Sequence, residues 1–169
     1  MRVLFAFYSR TGTTKKACRR IAALLEAEGV EVQVEEIVDL TNRSGAFGHA
    51  RGGVSAVLEI PTETQPVEAQ VAAFDVVVIG TPVWGMTCAP AARAFCEEHA
   101  EQLREVAFVV TMQGIGEKGA LRALERHCGR EPVATVTLVE RDVHSGSLEN
   151  FREPMAAFAQ ELIESVSVE

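Results

Sequence analysis

The sequence predicts an α/β fold, a three-layer, doubly wound, five-stranded parallel sheet in one domain. Apolar runs alternate with amphipathic stretches, five strand-then-helix units follow in order, and the 169 residues contain no linker or repeat. Parallel strands covered by helices on both faces appear as continuous apolar runs. We therefore expect residues 1–169 to form a single domain whose ligand lies beyond the carboxyl ends of the strands.

The positions of the strands and helices follow from the spacing of apolar residues and from the residues that typically begin or end each element. Strands are predicted at Arg2–Tyr8, Val30–Val38, Asp75–Thr81, Val106–Met112 and Pro132–Val139. The second strand alternates apolar and polar residues, which indicates an edge position. Helices are predicted from Ala17 to the stop at Gly29, and at Ala89–Leu103, Lys118–Cys128 and Leu148–Val166, with short ones within Val54–Leu58 and around Val67–Phe74.

The composition and net charge of the chain exclude some classes of partner. The chain is 47% hydrophobic and 24% charged with a formal net charge of −8, which argues against nucleic acid as the partner. The N-terminal apolar run is too short for a signal peptide, and no stretch reaches the roughly 20 residues of a membrane span. We expect a cytoplasmic protein, not bound to a membrane, with reduced and buried cysteines at Cys18, Cys88, Cys96 and Cys128.

The loop after the first strand is rich in hydroxyl groups. Ser9-Arg10-Thr11-Gly12-Thr13-Thr14 separates an apolar strand from an amphipathic helix. A helix N-terminus offers unpaired backbone N–H groups and a positive dipole end, and added hydroxyls favour a phosphate. The loop has neither the G-K-[ST] ending of a P-loop nor a G-x-G-x-x-G motif. The alternative, an ordinary N-cap, requires only one hydroxyl.

The loop after the third strand holds the only tryptophan of the chain. It reads Thr81-Pro82-Val83-Trp84-Gly85-Met86-Thr87. A large indole usually belongs to a core, so Trp84 either plugs the top of the sheet or stacks on a flat ligand. The neighbouring hydroxyl-rich loop favours stacking.

The loop after the fourth strand contains Gly114, Gly116 and Gly119, which match G-x-G-x-x-G, and Glu140 lies at a suitable distance for a ribose-binding acid. A dinucleotide fingerprint belongs to the first strand-to-helix turn of its fold, however, and too little chain follows for a second nucleotide-binding half. We interpret Met112–Gly119 as a pliant loop at the edge of the same ligand.

These three loops resemble those of the flavodoxin family, over essentially the whole chain. The resemblance implies the strand order 2-1-3-4-5 and FMN as the cofactor, with the phosphate in the first loop and the isoalloxazine bracketed by the second and third. It implies no catalytic side chain, because the flavin carries the chemistry, and no metal. The implied cofactor-binding residues are Ser9, Arg10, Thr11, Gly12, Thr13, Thr14, Thr81, Pro82, Val83, Trp84, Gly85, Met112, Gln113, Gly114 and Gly116.

Two features depart from familiar flavodoxins. The chain has no second aromatic residue for the outer flavin face, since its only tyrosine, Tyr8, precedes the first loop. One face of the flavin is thus either open to a substrate or covered by another segment. The glycine-rich stretch Thr41–Gly53 replaces a simple connection, and it either covers the flavin, forms a subunit contact or is a mobile surface loop.

The sequence therefore leads to two hypotheses. The first is an FMN-binding redox protein, monomeric or homodimeric, which transfers electrons to a protein partner or to a small acceptor such as a quinone. If it is an enzyme, it is an FMN-dependent oxidoreductase of the NAD(P)H:quinone reductase type, which the missing outer aromatic slightly favours. The second is a non-redox module of the same fold that binds a phosphorylated ligand or a partner protein.

Overall fold

The structure is a computed structural model that describes residues 1–41 and 62–166. Its strands are β1 Arg2–Phe7, β2 Glu31–Glu36, β3 Val76–Trp84, β4 Thr87–Cys88, β5 Glu105–Met112 and β6 Pro132–Val139. Its α-helices in these ranges are α1 Thr13–Ala27, α2 Pro90–His99, α3 Glu117–Cys128, α4 Glu140–Ser145 and α5 Glu153–Val166.

The sheet has the predicted topology. Its strands lie in the order β2-β1-β3-β5-β6, all paired in parallel, while the short β4 pairs antiparallel with β3 outside this path. Without β4, this is the predicted order 2-1-3-4-5, which is confirmed, and β2 is the edge strand that its alternation indicated. The chain reverses its direction of winding between β1 and β3, so their carboxyl ends flank the crevice where such folds bind ligands.

Helices cover both faces of the sheet. Successive side chains of a strand point to opposite faces, so an apolar strand places apolar side chains on both faces, and both must be buried. On β1, Leu4 and Ala6 belong to the core beneath α2 and α3, and Val3, Phe5 and Phe7 to the core beneath α1 and α5. All five are buried. Each layer of helices thus has its own hydrophobic core.

Helix α1 packs closely against the sheet at Gly80 of β3. A Cβ atom at Gly80 would lie 2.6 Å from Cys18 Sγ and 2.6 Å from the Phe7 Cβ. A larger residue would therefore push α1 away from the strands. Because α1 begins at the hydroxyl-rich loop, this close approach also sets the position of that loop.

Some elements differ from the predictions. Strand β3 continues to Trp84 instead of ending at Thr81, because Val83 and Trp84 pair with β4. The helix expected around Val67–Phe74 is only one turn, Val71–Ala73. The short helix proposed within Val54–Leu58 lies outside the described residues, as does the Thr41–Gly53 stretch beyond its first residue.

The long helix expected at Leu148–Val166 is interrupted, and α4 was not predicted. Helix α4 ends at Gly146, whose φ of 69° is left-handed. The Ser147 hydroxyl then accepts a hydrogen bond from the backbone N–H of Asn150, opening a wide helical turn at Leu148–Arg152. Phe151 in this turn and three α5 residues, Met155, Phe158 and Leu162, are buried against the sheet.

The cysteines are free and buried, as predicted. Burial raises the pKa of Cys88 to about 11, although the positive charge of Arg93 opposes the shift. Burial also raises the pKa of Cys18, and for Cys96 the largest cause of a raised pKa is a hydrogen bond with Cys128. The thiols of Cys18, Cys88 and Cys96 therefore stay protonated, and unreactive, at neutral pH.

Within residues 1–41 and 62–166, no helix has both the length and the apolar character needed to cross a membrane. The same residues contain no group of three or more His, Cys, Asp or Glu side chains arranged to hold a metal ion.

Candidate functional site

A cavity of about 320 Å³ opens at the carboxyl ends of β1, β3 and β5. One side is the hydroxyl loop, which we define as Ser9–Thr14. The opposite side is the tryptophan hairpin, defined as Val83–Cys88. The cavity is lined by Arg10, Thr11, Thr13, Thr14, Pro82, Val83, Trp84, Gly85, Thr111, Met112, Gln113 and Glu140.

The hydroxyl loop turns directly into α1. Gly12 precedes the helix with a φ of +91°, a left-handed conformation that glycine adopts without strain, and its carbonyl accepts from the Lys16 N–H at 2.9 Å. Gly12 has no side chain with which to cap the helix, and the first turn of α1 contains no acidic residue. The positive end of the α1 dipole therefore faces the loop side of the cavity.

Several hydroxyls of the loop are held by other parts of the chain. Ser9 Oγ accepts from the Lys15 N–H at 3.1 Å, which leaves its own proton for another acceptor. Thr14 Oγ1 lies 2.7 Å from Thr111 Oγ1 on β5, and both side chains are buried. Only one proton is needed between two hydroxyls, so this pair keeps one donor for a ligand.

Thr13 occupies a different environment. Its Oγ1 donates to Glu140 Oε1 at 3.1 Å and lies 3.1 Å from His144 Nε2. Glu140 and His144 are separated by one turn of α4, with Oε1 and Nε2 3.6 Å apart. Thr11 Oγ1 completes the group, 3.3 Å from Thr13 Oγ1. A carboxylate thus reaches the rim of the hydroxyl loop.

The tryptophan hairpin consists of the end of β3, a tight turn and β4. Val83 pairs with Cys88 and Trp84 with Thr87. Between them Gly85 and Met86 have φ values of 54° and 66°, the positive values that a type I′ turn requires. The segment predicted as a loop is therefore a regular hairpin, which holds Trp84 more firmly than a loop would.

Trp84 is half-buried at the side of the cavity. Its ring meets the Tyr8 ring edge-on, with centroids 5.3 Å apart and planes at 89°. The Arg10 guanidinium carbon lies 5.8 Å from the centre of the Trp84 ring, within cation–π range. These contacts join the hydroxyl loop to the hairpin on the cavity's own surface.

The glycine loop, Met112–Gly119, packs behind the hairpin. Gly116 has a φ of +105°, and a Cβ there would lie 2.6 Å from Val83 Cγ1 and 3.3 Å from the Met86 Cα. A Cβ at Gly119 would overlap the Met86 carbonyl oxygen, whereas one at Gly114 would meet nothing within 4 Å. Gly116 and Gly119 are therefore needed where the hairpin meets α3, so packing accounts for two of the three glycines in G-x-G-x-x-G.

The structure brings together most of the predicted site residues. Most of those with side chains line the cavity, but the Thr81 side chain is fully buried and accepts from the Ala89 N–H at 2.9 Å, which makes it a support of the hairpin. Ser9, Gly12, Gly114 and Gly116 shape the loops without lining the cavity. The sequence interpretation did not include Thr111 or Glu140, although Glu140 carried one signal as the acid spaced after the glycine motif.

Comparison with known proteins supplies the family. A family model described as NADPH-dependent FMN reductase matches residues 2–128, three quarters of the chain. The chain belongs to this family. FMN as the cofactor and the flavodoxin-like character of the protein, both inferred from the three loops, are thereby confirmed at the level of the family.

Solved structures show the same fold. A flavoprotein from Lactobacillus acidophilus NCFM in complex with FMN is 19% identical with a TM-score of 0.69, over 85% of this chain and 97% of that one. A two-electron reduced flavodoxin from Megasphaera elsdenii is 18% identical with a TM-score of 0.60, over 94% and 98%. At such identities the likeness establishes the fold. No curated protein matches the chain.

Proposed function

We propose that the chain binds FMN in this cavity and acts as an FMN-dependent oxidoreductase that passes electrons to a small acceptor such as a quinone. One observation carries the proposal: a hydroxyl-rich helix N-terminus and a half-buried tryptophan lie on opposite sides of one cavity at the switch point. The first suits a terminal phosphate and the second a flat ring. Membership in the family supports the same ligand.

The phosphate end would be held by α1 and by hydroxyl protons. The backbone N–H groups of the first turn have no partner within the helix, and the helix dipole favours an anion there. The Thr14–Thr111 pair lines the cavity and keeps a proton for a phosphate oxygen, and Ser9 supports the loop by accepting from the Lys15 N–H. Gly12 gives the loop the curvature that lets these groups converge.

The ring end would be held by the tryptophan hairpin. Pro82 and Val83 contribute an apolar wall, and Trp84 a flat one. Backbone N–H and C=O groups of the hairpin and of Gln113–Gly116 are our candidates for contacts to the ring edge. FMN, when bound, supplies the electron chemistry, while these residues bind it, orient it and limit its contact with water.

The aromatic residues near the cavity bear on the choice between a small acceptor and a protein partner. Among residues 1–41 and 62–166, Trp84 is the only aromatic residue that lines the cavity, and Tyr8 packs against the edge of Trp84. Gln113 and Ile115 are exposed at the rim. A ring face that these described residues leave uncovered would give a planar acceptor room to stack, which favours a reductase over a carrier whose flavin is enclosed on both sides.

Titration of the purified chain with FMN and with riboflavin tests this proposal. We expect a flavin absorption spectrum on binding, quenching of Trp84 fluorescence, and at least tenfold tighter binding of FMN than of riboflavin. The triple variant Ser9→Ala, Thr11→Ala, Thr14→Ala should weaken FMN at least tenfold and riboflavin by less than about twofold. Thr135→Ala, which removes an exposed hydroxyl from β6, is the matched control and should change neither.

The same experiment separates the alternatives. Absence of flavin binding would favour the non-redox module that binds another phosphorylated ligand. Equal losses of FMN and riboflavin in the triple variant would mean that the hydroxyl loop does not hold the phosphate. If FMN binds as expected, its bleaching by NADPH without oxygen and recovery on adding a benzoquinone would support the reductase, and bleaching without recovery would argue against a quinone acceptor.

A further inference from the structure

Two large apolar side chains are exposed beside the cavity, on the side of the tryptophan hairpin. Met86 in the hairpin turn is 55% exposed, and Ile115 in the glycine loop is 74% exposed. The two segments touch, since a Cβ at Gly116, the residue after Ile115, would lie 3.3 Å from the Met86 Cα and 3.4 Å from its Sδ. We define Met86 and Ile115 as the apolar rim.

The apolar rim continues the wall of the cavity. Met86 directly follows Gly85, and Ile115 comes two residues after Gln113, while both Gly85 and Gln113 line the cavity. Val83, another lining residue, lies against the same part of the glycine loop, with its Cγ1 2.6 Å from the position of a Cβ at Gly116. Apolar surface therefore runs from the ring end of the cavity outward over the hairpin turn.

Met86 is an unusual residue for an exposed turn. Among residues 1–41 and 62–166 it is the only non-glycine residue with a positive φ, 66°, a conformation that glycine or asparagine adopts more readily. The folded chain nevertheless leaves more than half of its side chain uncovered. A flexible and polarisable methionine adapts its shape to different apolar partners. The turn thus presents to solvent an apolar group that is suited to contact with a ligand.

We propose that the apolar rim binds the alkyl or prenyl substituent of the acceptor, so that the site prefers quinones with an apolar side chain over unsubstituted ones. This inference rests on the proposed function, because it requires a quinone ring to reach the flavin. The ring would lie beside Val83 and Trp84, with its substituent extending outward over the apolar rim. A second copy of the chain fits less well, because two side chains expose far less than the roughly 800 Å² per partner that a stable protein interface buries.

A series of 4-alkylphenols, from methyl to pentyl, measures this contact without electron transfer. The phenols share one ring, and perturbation of the flavin absorption spectrum reports their binding to the FMN-loaded chain. Each added methylene that is buried against apolar side chains strengthens binding by up to about fourfold. We expect pentylphenol to bind at least about tenfold more tightly than methylphenol. The kcat/KM values of 2-alkyl-1,4-benzoquinones, with NADPH as the donor, should rise along the same series.

The double variant Met86→Gln, Ile115→Gln removes the apolar surface and keeps side chains of similar size. The gain from methyl to pentyl should fall below about threefold, while the affinity for methylphenol changes by less than about twofold. Leu148→Gln is the matched control, because Leu148 is 65% exposed but follows α4 and does not line the cavity. It should keep the full gain. Near-ultraviolet circular dichroism confirms that each variant is folded.

The possible outcomes separate this inference from the proposed function. A wild-type chain that binds FMN and reduces benzoquinone, but binds all the phenols equally, would overturn the inference alone. An undiminished gain in the double variant would do the same, and if that variant also lost self-association in sedimentation, the apolar rim would be an interface between copies of the chain. Failure to bind FMN, or to reduce benzoquinone, would instead contradict the proposed function.

Discussion

The two sides of the cavity are held in place by different physics. The hydroxyl loop is fixed by side-chain hydrogen bonds that reach other elements, to Thr111 on β5 and to Glu140 and His144 on α4. The tryptophan hairpin is fixed by shape, because Gly116 and Gly119 leave room for its backbone. The conformation of each side of the cavity therefore depends on residues far away in the sequence as well as on its own.

This difference determines what each side can do when a ligand binds. Hydrogen bonds between hydroxyls can be exchanged for hydrogen bonds to a phosphate at little net cost in free energy, because each donor still has an acceptor after the exchange. The packing of the hairpin backbone against a glycine cannot be replaced by a contact with a ligand, because it requires the space that a side chain would fill. The hydroxyl loop is therefore the adaptable side of the cavity and the hairpin the rigid side.

The largest effect is expected at the rigid side. Gly119→Ala places a methyl group on the Met86 carbonyl oxygen, so the hairpin or the start of α3 must move. We expect the free energy of unfolding to fall by about 1–3 kcal/mol, although alanine favours a helix, and FMN to bind at least about tenfold more weakly. Urea unfolding and flavin titration measure these changes.

Gly114→Ala provides the comparison for that variant. It lies in the same loop and the same sequence motif, but its Cβ would have no neighbour within 4 Å and its φ is not left-handed. Its stability should stay within about 0.5 kcal/mol of the wild type. If the Gly119 and Gly114 variants behaved alike, the glycine packing would not be what holds the hairpin.

A smaller effect is expected from the buried pair on the adaptable side. Thr111→Val replaces the hydroxyl by a methyl group of similar size and leaves the buried Thr14 hydroxyl without its partner at 2.7 Å. The free energy of unfolding of the FMN-free chain should fall by about 1–2 kcal/mol. Thr111→Ser keeps the hydroxyl and should lose less. A valine variant as stable as the wild type would show that this bond does not hold the loop.

The smallest effect is expected where the two sides touch. Arg10→Ala removes the guanidinium that lies 5.8 Å from the Trp84 ring centre, a contact between two partly buried groups that is worth about 0.5–2 kcal/mol. FMN affinity should fall about two- to fivefold, and the Trp84 emission maximum should shift in the FMN-free chain. Arg10→Lys keeps the charge and separates its effect from ring contact. An unshifted emission in Arg10→Ala would show that the contact is not formed in solution.

The parts of the site that sequence predicted best are those whose signal is local. The hydroxyl loop was recognised because Ser9 to Thr14 are consecutive and lie between an apolar strand and an amphipathic helix. The parallel sheet was predicted from wholly apolar runs such as Val76–Ile79, because such runs can be recognised in the sequence without knowledge of distant contacts. Strand order was implied by the family resemblance, and the pairing of β1 with β3 agrees with it.

The parts that were not predicted depend on contacts between distant residues. Thr111 and Glu140 meet the hydroxyl loop 97 and 127 residues along the chain, through Thr14 and Thr13. A two-residue strand such as β4 has too few residues for any period to show. The glycine motif was interpreted as a loop at the edge of the ligand, and its role in packing could not be predicted because it depends on where Met86 lies.

The hairpin has a consequence for how the chain tolerates changes in length. Val83 and Trp84 are paired strand residues, and successive strand side chains point to opposite faces. A single residue inserted between Thr81 and Trp84 would rotate the indole away from the cavity, whereas inserting two would restore its direction but move it outward. Inserting or deleting an odd number of residues in this segment should therefore impair the placement of Trp84 more than an even number does. An irregular loop of the same length would not impose this restriction.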